Sequence, residues 1–152
     1  MRLSHVLVMV QFALLGALAL ATVLVEPVGD SPVKLVGIVA FLVGVVIFLL
    51  ALYAYAQTNA TLPHVVPDPK QGTQLVQRGI YRSIRHPIYT AVLAITGGVA
   101  LYHGALIPLL LWGALLVLFY LKSDYEETLL RRAFPDYSAY RKRTGRFLPK
   151  LL

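Results

Sequence analysis

The feature that most constrains this chain is a run of 22 residues without a charge, Leu35 to Ala56, preceded by a run of 20, Val6 to Val25. A helix of about 20 apolar residues spans the hydrocarbon core of a bilayer, so each run is long enough to cross it. A soluble domain has about 25% charged residues. This chain has 14%, against 58% hydrophobic, and the deficit is concentrated in the long runs. The chain therefore reads as an integral membrane protein of one small domain. The first run is long for the apolar region of a signal peptide. It is followed by EPVGDSP rather than a small-residue cleavage pattern, so it is taken as a transmembrane helix.

A connector with Pro27, Gly29 and Pro32 links the two runs, and its shortness predicts an antiparallel helical hairpin. Gly37, Ala40, Gly44 and Ala51 fall on one face of the second helix. Such a stripe lets another helix approach closely, whether from the same chain or from a second copy in an oligomer. Residues 57–87 form a loop rich in proline, glycine and basic residues, whose His64–Gly72 portion is a candidate cover by position. Two shorter apolar runs follow, Ile88–Tyr102 and Ala105–Leu121, separated by His103-Gly104. They predict a second hairpin that Gly97-Gly98 kinks or shortens. From Lys122 to Leu152 the tail holds eight basic and four acidic residues. It is expected to extend the last helix through SDYEETLLRRAF, turn at Phe134-Pro135, and start a short amphipathic helix capped by Asp136.

The expected fold is all-α, a polytopic membrane domain over 1–152. It comprises an N-terminal hairpin (1–56), a loop (57–87), a short hairpin (88–121) and a helical tail (122–152), with about four transmembrane helices. Basic residues cluster at Arg2, in the loop and in the tail, which places both termini on the cytoplasmic side of a cell or inner membrane. The net charge of +7 then faces anionic lipid headgroups rather than nucleic acid. On this topology YRSIRHP and DYEE emerge at the same face, flanking adjacent helices, so the two most polar clusters of the chain meet in space.

The chain has no cysteine, which excludes disulfides and a thiolate nucleophile. His5, His64, His86 and His103 lack ligand spacing, so no metal site is expected. No serine elbow and no glycine-rich strand-to-helix turn is present. What remains is the pair of clusters. Ionisable groups at a membrane boundary are costly unless they snorkel, pair or act. Glu126 and Glu127 lie at a helix C-terminal end, where the dipole favours cations, so they want a cationic partner, either an internal arginine or a ligand. Pro87 suits the first position of a helix, whose free N–H groups, with Arg85 and His86 beside them, suit an anion. A ligand with both charges, such as an amino acid headgroup, matches the two clusters together.

The residues Gly79, Tyr81, Arg85, His86, Pro87 and Tyr89 form one pattern. Some 35 residues later come Glu126, Glu127, Leu130, Phe134, Tyr137, Tyr140, Arg146, Phe147 and Pro149. Together they resemble the isoprenylcysteine carboxyl methyltransferase and phospholipid methyltransferase superfamily, over about half of the chain. The resemblance implies a membrane methyltransferase that uses S-adenosyl-L-methionine bound at the helix ends and tail, with a lipophilic or lipidated acceptor entering from the bilayer. It implies cofactor contacts from Gly79, Tyr81, Arg85, His86, Pro87, Tyr89, Glu126 and Glu127, and catalytic roles for Arg85, His86 and Arg146. Arg85 or His86 would meet the methionine carboxylate, and Glu126 or Glu127 the ammonium or a ribose hydroxyl. Many relatives have glycine where this chain has Ala91, a methyl that narrows the pocket or simply packs. Two other readings stand beside this one: an NADPH-dependent membrane reductase of the sterol type, which shares an H-P-x-Y segment, and a non-catalytic lipid-binding subunit.

Overall fold

A computed structural model of the chain describes residues 3–64 and 72–150. Arg2 and most of the His64–Gly72 segment expected to act as a cover lie outside the described residues. The described residues form five α-helices and no strand: α1 (Leu3–Leu24), α2 (Val33–Asn59), α3 (Pro87–His103), α4 (Leu106–Ala133) and α5 (Tyr137–Arg143). A single 3-10 turn, Gly79–Arg82, precedes α3. Three of the helices, α1, α2 and α4, are long and apolar enough to cross a membrane. The fourth, α3, has 17 residues, or about 26 Å at 1.5 Å per residue. Val23, Leu24, Leu35, Val36 and Leu42 stay exposed, as expected of helices whose outer faces meet lipid rather than water.

The second expected hairpin forms, α3 against α4, but the main partners of the first two helices lie outside the first. α2 packs on α3, α1 packs on α4, and α3 joins α4. The linked helices α1 and α2 are not principal neighbours, because each has its packing partner in the second half of the chain. The stripe on α2 explains its choice. A Cβ on Gly37 would come within 2.7 Å of the Gly98 carbonyl, and one on Gly98 within 2.6 Å of the Gly37 carbonyl and the Phe41 amide. Neither residue has room for a side chain, so the backbones are in near contact there. Gly97-Gly98 therefore neither ends nor shortens α3, which continues to His103. The stripe is occupied within the chain, so it is not a free oligomer surface. Ala91 is fully buried, and its carbonyl lies against Gly44, so its methyl packs between helices.

At one end of the bundle the α1–α2 linker meets the α3–α4 turn. Val28 N–H donates to the His103 carbonyl at 2.9 Å, and His103 Nε2 lies 3.0 Å from the Val25 carbonyl oxygen. At the other end α4 continues without a break through Glu126 and Glu127 to Ala133, and α5 follows after a turn. Asp136 takes the N-cap position of α5 but makes no side-chain capping hydrogen bond. The tail then runs back against the start of α3. Arg85 N–H donates to the Gly145 carbonyl at 2.9 Å, His86 N–H to the Arg146 carbonyl at 3.1 Å, and Gly145 N–H to the Ser83 carbonyl at 3.0 Å. These bonds, a short parallel bridge, join the two motif segments.

Candidate active site

The polar clusters meet around α4. Consecutive residues on a helix point about 100° apart, so Glu126 and Glu127 face different surroundings. Glu127 is fully buried, with its side chain 0% exposed. Arg85 Nε donates to its Oε1 at 3.0 Å, and Arg141 Nε lies 3.0 Å from its Oε2. His86 Nε2 at 3.4 Å and Arg146 Nε at 3.6 Å complete a ring of cationic groups. Arg85 is further held by the Thr144 carbonyl and, at 3.1 Å, by the Arg141 carbonyl. Glu127 and Arg85 thus find each other, and the pair fastens the start of α3 to the tail.

Glu126 is different. Its side chain is 23% exposed, and its Oε2 accepts from the Tyr89 hydroxyl at 2.8 Å. His86 Nδ1 lies 3.5 Å from the same oxygen, and the His86 ring stacks on Tyr89 with centroids 5.4 Å apart. Tyr89 stacks in turn on Phe119 at 4.8 Å. His86 is thereby sandwiched between two carboxylates. Burial alone would lower its pKa, but the hydrogen bonds and charges of Glu126 and Glu127 outweigh burial and raise it. Burial pushes the Tyr81, Tyr137 and Tyr140 phenols up, so all three stay neutral donors.

Glu126 opens onto a cavity of about 550 Å³. Its polar end is formed by Tyr81, Arg85, His86, Glu126, Tyr137 and Tyr140, and Pro87 and Tyr89 are also on its wall. Its other end runs between α1 and α2, along Phe12, Leu15, Phe48 and Leu52. The apolar part of the cavity is therefore lined by both of these helices. Among the described residues the buried Tyr137 hydroxyl has no hydrogen-bond partner, and His86 Nε2 has only its ionic contact with Glu127 Oε1 at 3.4 Å. The Tyr140 hydroxyl, in contrast, donates to the Tyr81 carbonyl at 2.7 Å.

Three of the residues singled out from sequence do not line the cavity: Gly79, Glu127 and Arg146. Gly79 takes a left-handed φ of 55° at the turn, with Ala54 where its side chain would be. Arg146 bonds Asp124 at 3.0 Å and covers the Tyr120 ring at 4.5 Å. Conversely, the cavity includes Gln11, Lys122, Tyr137 and Tyr140, to which sequence reasoning gave no site role. The available signal for Gln11 and Lys122 was a polar residue inside or at the edge of an apolar run.

Residues 33–137, more than half of the chain, match the phospholipid methyltransferase family. The chain belongs to that family. It is thereby a member of the isoprenylcysteine carboxyl methyltransferase-like superfamily. Membership makes it a membrane methyltransferase related to those that act on lipids. A comparison with curated proteins finds no match.

Proposed function

We propose that this protein transfers a methyl group from S-adenosyl-L-methionine to a lipophilic acceptor, at the cytoplasmic face of a membrane. The observation that carries the proposal is the mixed lining of the cavity: one part polar and built by both motifs, the other apolar and lined by α1 and α2. A volume of about 550 Å³ is in the range of small-molecule sites. The residues present fit such a cofactor. Glu126 is the carboxylate turned to the cavity and suits a cationic group, while the start of α3 with Arg85 and His86 suits a carboxylate. The Tyr137 hydroxyl is a buried polar atom that a ligand would satisfy.

When bound, the cofactor supplies an electrophilic sulfonium methyl to a lone pair of the acceptor. The protein's part is alignment and the exclusion of water. Tyr89, pinned between His86 and Phe119 and bonded to Glu126, forms a rigid wall where the two parts join. Glu127, bonded to Arg85, keeps that wall in place from behind, which makes it a positioning residue. Arg146 is assigned to the same support. The basic tail and loop favour the cytoplasmic side for this end of the bundle.

The test is calorimetric titration of the detergent-solubilised protein with S-adenosylhomocysteine, and with NADPH in parallel. Saturable binding of S-adenosylhomocysteine, lost in Glu126→Gln, supports the methyltransferase. Binding of NADPH alone would move the protein to the reductases, and a folded sample that binds neither would leave it a non-catalytic lipid-binding subunit.

A further inference from the structure

A second cavity, of about 570 Å³, is lined by the end of α4, by α5 and by the tail. Its wall carries Arg85, Arg131, Arg141, Lys142 and Lys150 and, among the described residues, no acidic side chain. Of the described residues only Arg85 also lines the cavity onto which Glu126 opens, so the two are separate places. The charges of the second do not balance. Glu127 pairs with Arg85 and Arg141, but it is fully buried and is shared with His86 and Arg146. Arg131 Nε donates to the Glu127 main-chain carbonyl at 3.3 Å, and Lys150 Nζ to the Lys142 carbonyl at 2.7 Å. Neither acceptor carries a charge. A cleft lined by one sign of charge concentrates ions of the other sign.

The tail sets this cavity at the boundary of the apolar helices. Thr90 Oγ1, in the first turn of α3, donates to the Phe147 carbonyl at 2.7 Å, and Phe147 packs against the apolar cluster of Leu93, Leu115, Leu118 and Phe119. Leu148 follows at 72% exposure. The chain folds back sharply here, because a Cβ on Gly145 would meet the Leu148 carbonyl, and the fold returns Lys150 to Lys142. An exposed apolar side chain thus stands two residues from a basic cavity. A soluble anion would use the cations and leave Leu148 in water, whereas a lipid uses both. On the proposed topology this end of the bundle meets the cytoplasmic leaflet, whose surface is anionic.

We propose that the second cavity binds the phosphate of an anionic bilayer lipid, held as a bound lipid and not as the methyl acceptor. Its headgroup joins α4, α5 and the tail through Arg131, Arg141, Lys142 and Lys150. The inference is independent of the methyltransferase reading, since none of these four residues lines the other cavity.

The experiment titrates the protein, in a maltoside detergent, with dihexanoyl phosphatidylglycerol, dihexanoyl phosphatidylcholine and inorganic phosphate. The two lipids share their chains and differ in net charge. Wild type is expected to bind the glycerol lipid roughly 5- to 30-fold tighter than the choline lipid, the worth of one or two lysines at an anionic headgroup, and added salt should narrow the gap. A double variant, Lys142→Gln with Lys150→Gln, should erase the preference, since glutamine keeps a donor for the Lys142 carbonyl but carries no charge. Equal binding of the two lipids by wild type overturns the proposal, as does a preference that survives in the double variant. Inorganic phosphate bound as tightly as the glycerol lipid overturns it in favour of a soluble anion. Should the double variant not fold, Arg131→Gln decides: an unchanged preference there refutes the basic cavity as the lipid site.

Discussion

Glu126 and Glu127 are neighbours in sequence with opposite duties, and replacing each by glutamine separates them. Glu127→Gln removes the negative charge at the centre of the ring formed by Arg85, Arg141, His86 and Arg146. The Arg85 side chain is 8% exposed, so it is left as a buried charge without its counterion. Breaking a buried pair from one side costs about 3–5 kcal/mol. Arg141 is 43% exposed, so water screens its share and the lower end of that range applies. For a chain of this length about 3 kcal/mol corresponds to a fall in melting temperature of roughly 6–12 °C. Glu126→Gln keeps an oxygen to accept from Tyr89 and loses charge only at a partly open position, a cost of about 1 kcal/mol or less. Its effect falls on the ligand instead. Removing the charge from a bond to a ligand cation costs about 1.5–3 kcal/mol, a loss of roughly 10- to 150-fold in affinity for S-adenosylhomocysteine. Circular dichroism melts in detergent read the first effect and calorimetry the second. Equal destabilisation by the two substitutions would refute this division of labour, as would a Glu127→Gln protein that melts with wild type.

Two further outcomes test the site. The pKa of His86 is raised above its ordinary 6.5 on folding, so the stability it contributes is complete below that value and is lost as pH rises through the folded value. Wild type should therefore lose melting temperature on going from about pH 6 to above neutrality, and His86→Gln should flatten that slope; a His86→Gln slope equal to wild type would contradict the assignment. Tyr140→Phe strips the buried donor from the Tyr81 carbonyl and should cost about 1–3 kcal/mol in melts, while Tyr137→Phe removes a hydroxyl without a protein partner and should leave the melt unchanged but weaken S-adenosylhomocysteine binding. A Tyr137→Phe protein that binds as wild type does would remove that hydroxyl from the cofactor site.

The helices were legible because each run lacks charge, a signal that depends on nothing outside the run. Leu35–Ala56 became Val33–Asn59, and the tail helix extended to Ala133 as SDYEETLLRRAF suggested. The pairing of helices was not legible. A short connector brings chain ends together, but packing is decided by surface shape, and Gly37 fits Gly98 rather than anything on α1. The same limit applied to the site. Sequence spacing brought RHP and EE to one end, yet it could not say which carboxylate faces the cavity, because that depends on how α4 is rotated against α3. Lys122 read as the first residue of a basic tail because it directly follows Leu121, the last residue of the apolar run. Gln11 drew no attention as one neutral residue among twenty.

The pairing has a consequence for how the site is held. The packed pairs, α2 with α3 and α1 with α4, have no comparable packing between α1 and α2, and residues of both these helices line the cavity. Contact between α3 and α4 holds the pairs together. At the polar end the joint is fastened by the tail, through Gly145 and Arg146 to Ser83, Arg85 and His86. The same bonds that set His86 against Glu126 therefore fix the spacing of the cavity's polar wall. The apolar part of the cavity is lined instead by the hydrocarbon side chains Phe12, Leu15, Phe48 and Leu52. On the proposed reading, a polar wall held at a fixed spacing beside an apolar lining suits transfer between a water-soluble donor and a membrane-borne acceptor.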